Sequence, residues 1–326
     1  MNSNTAERRL NVLVTGAAGG LAGTVVSRLA ERYHLIGVDP RPLSRGKDFP
    51  GEFHVVDYTH RRMSEVFRSR KIDILLHLGR VPVSARVRSS ERYQTNVLGT
   101  KNLLDLCRKY RVKRAVVLST FHVYGAHPHN PGHLVEDDPL RASQNFPELR
   151  DAVEMDHLAR MFLLQNSDTQ VAILRPSNIV GPTIQNTISQ LLRAEVCPTL
   201  LGYDPLLQFI HEADLSHAIE LCIENKMVGV YNVSGEGVIS YRKAIEFAGA
   251  RSIPVPHFLV YGAMGALSRF RLSLPKHLVD FYRYSAVISD ELFRKESGYR
   301  PRLSTQEALR SLRSIRAVVE PQHSSA

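Results

Sequence analysis

Val14-Thr-Gly-Ala-Ala-Gly-Gly-Leu-Ala-Gly23 is the stretch on which the reading of this chain turns. Before it stands Asn11–Thr15 (NVLVT), an apolar, β-branched run that reads as a buried strand, and after it Leu21–Arg32 carries a helical pattern. In that strand-turn-helix setting Gly16 allows a tight turn and Gly19 lets the backbone approach a pyrophosphate. The small Ala22 permits close helix–strand packing, while the helix N-terminus offers amide donors and the positive end of its dipole. Glycine loops end many strands, so the pattern alone is weak evidence. Asp39, at the end of the second strand and 23 residues beyond Gly16, strengthens it. A carboxylate there accepts hydrogen bonds from an adenosine ribose and repels a 2′-phosphate, which favours NAD over NADP. Arg41 and Arg45 lie close by and work against that preference.

Working outward, apolar runs alternate with helical patterns. Strands are expected at His34–Val38, Glu52–Val56, Ile72–His77, Arg114–Ser119 and Gln170–Leu174, with helices at Tyr93–Tyr110 and Arg150–Gln165. Continuous apolar strands between helices predict a parallel sheet covered on both faces, and right-handed crossovers make it an α/β, Rossmann-type doubly wound fold. After Pro176 the pattern loosens. A helix at Ile184–Ala194, a strand at Gln208–His211, a helix at Asp214–Glu224 with Asp214 as its cap, and a strand at Gly229–Val233 are expected there. The last ninety or so residues read as mostly helical, broken by Pro254, Pro256, Pro275 and Pro301. The expected division is a nucleotide-binding domain over 1–180 and a smaller, interleaved substrate lobe over 181–326, whose polar tail Glu320–Ala326 reads as disordered.

Composition narrows the function classes. A chain of 326 residues with 43% apolar and 23% charged residues can bury a large core. No apolar run is long enough to span a membrane, and the N-terminus lacks a signal-type hydrophobic region. Cys107, Cys197 and Cys222 are scattered without metal-type spacing and read as reduced packing residues of a cytoplasmic protein. The net charge of +10 suits an anionic small ligand; its basic residues are spread and accompany no nucleic-acid module.

At this point the chain resembles the extended short-chain dehydrogenase/reductase superfamily, in its NAD-dependent epimerase/dehydratase group. The resemblance runs from Asn11 to about Leu312 through TGAAGGLAG, VVDYTH, His77-Leu-Gly79 followed by Arg80, TNVLGT, STFHVYG, LRPSNIVGP, QFIHEADLSHAI and VYNVSG. It implies cofactor contacts at Gly16, Ala18, Gly19, Gly20 and Leu21, at Asp39, Asp57 and Tyr58, and at Leu78, Gly79 and Arg80. Further contacts are implied at Asn96, Ser119, Pro176, Ser177 and Ile179. Asn178, Thr183, Asn186 and Gln208 fall at substrate-side positions, where turn and cap chemistry is the competing reading. The implied partners are NAD, a small-molecule ligand such as a nucleotide sugar, and a second copy of the chain docked through Tyr93–Tyr110 and Arg150–Gln165.

The catalytic end departs from the family. There, a tyrosine acts as acid/base and a lysine four residues later lowers its pKa and holds the nicotinamide ribose, one helical turn placing both on one face. A phenol with its ordinary pKa near 10 is a poor base at neutral pH without that ammonium. Phe146-Pro-Glu-Leu-Arg-Asp-Ala-Val-Glu-Met-Asp-His-Leu-Ala-Arg160 aligns so that Glu148 takes the tyrosine position and Ala152 the lysine position. Thr120 keeps the Ser/Thr position, and Tyr124 matches a structural tyrosine. Three readings compete: a cofactor-dependent sensor or binding protein that holds NAD with hydride chemistry weakened or lost, an enzyme rebuilt on Glu148, Thr120 or His122, or a site completed from the second lobe.

His122, His127, His129 and His133 crowd one loop at spacings that match no metal motif, so no metal is expected. His122, beside Thr120, is the member placed to act as an acid/base. Phe258–Phe270 (FLVYGAMGALSRF) reads as core or dimer packing rather than a membrane-surface helix.

Overall fold

The computed structural model describes residues 8–46, 48–83, 87–256 and 276–313. Six parallel strands form in turn: β1 (Asn11–Thr15), β2 (His34–Asp39), β3 (Gly51–Val55), β4 (Ile74–His77), β5 (Arg114–Leu118) and β6 (Gln170–Pro176). Four short strands follow, β7 (Asn178–Val180), β8 (Val196–Leu200), β9 (Leu206–Leu207) and β10 (Phe209–His211), before β11 (Gly229–Val233) returns to the main sheet. The seven-stranded order is β11-β6-β5-β4-β1-β2-β3. This is the doubly wound α/β arrangement expected from the apolar runs. The order reverses between β1 and β4, which opens a crevice at the carboxyl ends of those strands.

The central strands β1, β4 and β5 are largely apolar because both faces are covered, whereas the edge strand β3 (GEFHV) is partly exposed. Val12 and Val14 of β1 point into one core with Leu76, Leu174, Val25 and Leu29. Leu13, between them, points into the other with Leu75, Val117, Leu103 and Phe162. Alternation along each strand thus feeds two cores. On the first face α1 (Gly20–Leu29) packs against a later helix, Glu212–Glu224. On the second lie α2 (Met63–Ser69), α4 (Gly99–Lys109) and α6 (Arg150–Gln165), with α3 (Ser89–Tyr93) and α5 (Ala142–Asn145) leading into α4 and α6.

The remaining elements are α7 (Thr187–Arg193), α8 (Glu212–Glu224), β12 (Ile239–Ser240), α9 (Tyr241–Ala248), β13 (Arg251–Val255), α10 (Lys276–Phe281), α11 (Glu291–Ser297) and α12 (Thr305–Arg310). Of these, α7, α9 and α12 pack around Val180, Leu192, Phe209, Tyr241 and Leu309, whereas α8 and α11 join the core of α1. The mostly helical ending also contains a strand that was not expected, β13, which pairs in parallel with β8. Pro254 disguised it, yet a two-stranded ribbon has a free edge where a missing N–H does no harm.

Two further expectations are revised. Tyr93–Tyr110 is not one uniform α-helix, because Gln94–Leu98 winds as a π-turn between α3 and α4. The cap of α8 is His211, whose Nδ1 accepts from the Ala213 amide. Asp214 lies inside the helix and accepts from the Arg302 and Leu303 amides instead. The segments Phe258–Phe270 and Glu320–Ala326 lie outside the described residues.

Candidate functional site

The glycine loop joins β1 to α1 under steric compulsion. Gly16 has φ 70°, and a Cβ there would stand 2.6 Å from Gly79 Cα. A Cβ on Gly20 would stand 2.2 Å from the Thr183 carbonyl oxygen, so the segment after β7 packs directly onto the start of α1. Asp39 is buried behind this loop. Its Oδ2 accepts from the Ala18 amide at 3.1 Å, which ties the loop to the end of β2. Its carboxylate also receives Arg41 Nε at 3.0 Å and Arg41 Nη2 at 3.2 Å. A ribose hydroxyl seeking Asp39 therefore meets a carboxylate already paired with an exposed guanidinium.

The segment beneath the loop is fixed by a chain of buried hydrogen bonds. The Gly79 amide donates to Thr15 Oγ1, which lies 2.7 Å from His77 Nδ1, and His77 Nε2 lies 2.8 Å from Thr100 Oγ1. Thr100 spends its proton on the Asn96 carbonyl at 2.6 Å. His77 must then donate from Nε2, leaving Nδ1 to accept from Thr15. Burial pushes its pKa down to about 4, so the ring is neutral at pH 7. Asn96, in the π-turn, clasps the next residue pair-wise: it accepts from the Val81 amide and donates to the Val81 carbonyl. Tyr58 is buried below, its hydroxyl donating to the Gly79 carbonyl at 3.3 Å.

A cavity of about 800 Å³ runs from the glycine loop across the sheet's carboxyl edge. At one end stand Ala18–Leu21 and Arg41; at the other stand Thr120, His122, Ala152, Pro176–Ile179, Phe281 and Tyr282. Thr120 Oγ1 and His122 Nδ1 are 2.9 Å apart, and the His122 ring packs on Phe281 with centroids 4.7 Å apart. The first turn of α6 is anchored by Arg92, which donates to Asp151 Oδ2 at 3.1 Å and to the Glu148 carbonyl at 2.9 Å. Deeper in, Arg175 and Asp156 form a fully buried ion pair, at 2.9 and 2.6 Å. Arg175 also donates to Tyr124 Oη and the Glu136 carbonyl, while Ser119 donates to Asp156. Burial would lower the Arg175 pKa, but the hydrogen bonds and charge of Asp156 raise it above its ordinary value.

Of the residues singled out from sequence, Ala18, Gly19, Gly20, Leu21, Leu78, Arg80, Asn96, Ser119, Thr120, His122, Pro176, Ser177, Asn178, Ile179, Thr183 and Asn186 line this cavity. Gly16, Asp39, Tyr58 and Gly79 sit behind its wall and shape it. Asp57 lies apart, in a shallow recess with His60 and Arg62. Gln208 is buried and exchanges two hydrogen bonds with the Ile288 backbone. Glu148 is half-buried outside the lining, whereas its neighbours Leu149, Asp151 and Ala152 are in it. Asn186 caps α7, and Thr183 is held by Glu212. Sequence reasoning passed over Val81–Val83, Asp151, Phe281 and Tyr282 as cavity residues; Asp151 served only as an alignment anchor, and α10 carries no motif. Among the described residues no group of three His, Cys, Asp or Glu side chains is placed to hold a metal.

Comparison with known proteins agrees with this architecture. An uncharacterized protein of Mycobacterium tuberculosis is 31% identical over 327 residues, covering 95% of this chain and 86% of that protein. The UDP-glucose 4-epimerase of Bacillus subtilis is 25% identical over 287 residues, covering 74% and 83%. Among solved structures, Thermus thermophilus UDP-glucose 4-epimerase in complex with NAD superposes with a TM-score of 0.76 at 21% identity, covering 95% and 100%. MoeE5 in complex with UDP-glucuronic acid and NAD does so with 0.75 at 23% identity, again over 95% and 100%. The model of the NAD dependent epimerase/dehydratase family matches residues 12–234, and the chain belongs to that family.

Proposed function

We propose that this protein binds NAD(H) along the cavity and a nucleotide sugar, or a similar hydroxylated small molecule, at its far end, with oxidoreductase activity weak or lost. The observation that carries the reading is the wall opposite the glycine loop. Ala152, which the alignment puts at the family's lysine position, lines the cavity, and Glu148 lies outside the lining. The cradle fits a dinucleotide: Gly16 and Gly20 leave no room for a Cβ, and the cavity is within the range of about 300–1,000 Å³ common for ligand sites. When bound, NAD supplies a hydride acceptor. This chain's own residues bind, exclude water and orient, but no tyrosine of the sequence has a lysine four residues on to help it take a proton from a substrate hydroxyl.

A second reading is favoured by the Thr120–His122 contact at 2.9 Å: an active epimerase, dehydratase or dehydrogenase in which these two residues handle the proton. Calorimetric titration with NAD, NADH, NADP and NADPH, followed by turnover assays of Glu148→Tyr/Ala152→Lys, tests both. Tight NAD binding with turnover only in the double variant supports the first reading. Turnover in the natural protein that His122→Gln abolishes supports the second, and no nicotinamide nucleotide binding at all sinks both.

We also infer a homodimer through α4 and α6. Leu98, the last residue of the π-turn that runs into α4, and Met161 and Leu164 of α6 are 48%, 50% and 78% exposed, apolar surface that a second copy would cover. The three cysteines are free and buried, in keeping with a cytoplasmic setting, and no helix among the described residues is long and apolar enough to cross a membrane.

A further inference from the structure

Among the described residues that line the cavity, Asp151 is the one carboxylate. It sits in the first turn of α6 and is 4% exposed. Arg92, itself buried, donates Nε to its Oδ2 at 3.1 Å, and Asn96 Nδ2 donates to the same oxygen. Oδ1 is buried without a hydrogen-bond partner among the described residues. A carboxylate offers about four acceptor sites, and here both donors crowd onto one oxygen. The other has lost its water and received nothing in exchange, which is unfavourable until a donor arrives.

The kind of donor follows from the charges nearby. Arg92 already balances Asp151 as an ion pair, and the charge of Arg80 also acts on it. Oδ1 therefore lacks a hydrogen bond and not a counter-charge, so a neutral hydroxyl suits it better than a further cation. Position narrows the choice of hydroxyl. Asn96 ties Asp151 to Val81 in the segment after β4, where Gly79 packs beneath Gly16 of the glycine loop. The next residue is Ala152, which the alignment puts where the family's lysine holds the nicotinamide ribose. A methyl cannot make that contact. A ribose hydroxyl, however, both donates and accepts, so a neighbouring carboxylate can hold it from the opposite side of the bond.

We propose that Asp151 Oδ1 accepts a hydrogen bond from a hydroxyl of the nicotinamide ribose, replacing the family's lysine contact with one of reversed polarity. The proposal rests on the NAD(H)-binding reading above and assigns it a ribose-holding residue.

The test is calorimetry with ADP, ADP-ribose and NAD, which share the adenosine half; the second ribose enters with ADP-ribose. The natural protein is expected to bind ADP-ribose roughly tenfold more tightly than ADP, the range of one charge-assisted hydrogen bond. Equal affinities overturn the proposal without recourse to any variant. Asp151→Asn keeps an oxygen for Arg92 and Asn96 but removes the charged acceptor. It should weaken ADP-ribose and NAD roughly tenfold and leave ADP within about twofold. Arg92→Gln loosens the same helical turn without removing Oδ1, so it should melt lower yet keep the preference for ADP-ribose over ADP. Equal loss of all three ligands in Asp151→Asn marks a structural role and overturns the proposal. So does a loss confined to UDP-glucose, which gives the oxygen to a substrate hydroxyl. ADP-ribose binding that Asp151→Asn leaves unchanged overturns this proposal alone. Binding of none of the three ligands overturns the NAD(H) reading and this one with it.

Discussion

Acidification should strike this protein first at His77. The ring is fully buried, bridges Thr15 and Thr100, and has its pKa pushed by burial from 6.5 down to about 4. A histidine with a depressed folded-state pKa contributes stability that is complete above 6.5 and drains away as pH falls toward 4. The 2.5-unit gap corresponds to about 3 kcal/mol, with roughly 2 kcal/mol already lost at pH 5. That is a large fraction of the stability of an ordinary domain. Protonation also breaks the chain geometrically, because Nδ1 would become a second donor facing Thr15, and the support of Gly79 under Gly16 goes with it. The assay is urea unfolding between pH 8 and 4.5 for the natural protein and for His77→Gln, which stays neutral. The natural protein's advantage over the variant should shrink by about 2 kcal/mol between pH 8 and pH 5. Parallel stability curves, or a His77 resonance titrating near 6.5 by NMR, would refute the reasoning.

Other perturbations separate the parts of the fold. Gly20→Ala drives a methyl onto the Thr183 carbonyl and should cost about 1–3 kcal/mol and weaken NAD binding; Gly23→Ala, with open space around it, should instead stabilise α1 by about 0.5–1 kcal/mol in the same melts. Arg175→Met strands the Asp156 carboxylate in the core and should cost about 3–5 kcal/mol in urea unfolding, whereas Asp156→Leu/Arg175→Met should recover much of that; additive losses would contradict it. Leu164→Glu should raise the dimer dissociation constant at least ~10-fold in sedimentation velocity, since burial of one leucine contributes about 1.5–3 kcal/mol; a natural protein that sediments as a monomer removes the premise.

Much of this was legible in the sequence because glycine and alternation carry it. Gly16 and Gly20 are demanded by backbone contacts at 2.6 and 2.2 Å, so the loop's composition encodes its conformation. The central strands β1, β4 and β5 could be read because burial on both faces leaves apolar residues in their middles. What escaped depends on partners far along the chain. Nothing in TNVLGT says that Asn96 will sit in a π-turn and clasp Val81, since a π-turn leaves helical periodicity nearly intact. Phe281 and Tyr282 reach the cavity from a helix with no motif, and Gln208 was drawn toward a ligand by its position when Ile288 claims both ends of its amide. Asp39 was identified, but its pairing with Arg41 was visible only as proximity in sequence.

The same geometry explains how a chain can depart from its family's catalytic pair and keep the family's shape. In α6 the residues that fix the helix are neither of the two exchanged ones. Asp151 is bound to Arg92 and Asn96, the Glu148 carbonyl to Arg92, and Asp156 to Arg175 and Ser119. These contacts use backbone or acidic groups that neither position 148 nor position 152 supplies through its side chain. Ala152 adds only a methyl to the cluster of Phe121, Leu149 and Val153. Catalytic groups and scaffold are thus carried by different side chains of one helix, separated by single residues. On the proposed reading, an alanine at 152 leaves the cavity without a charge at that position but takes no strut from the fold, while Arg80 also lines the cavity. On that reading binding outlasts chemistry on this scaffold, because the groups that hold the fold are not those that would move a proton.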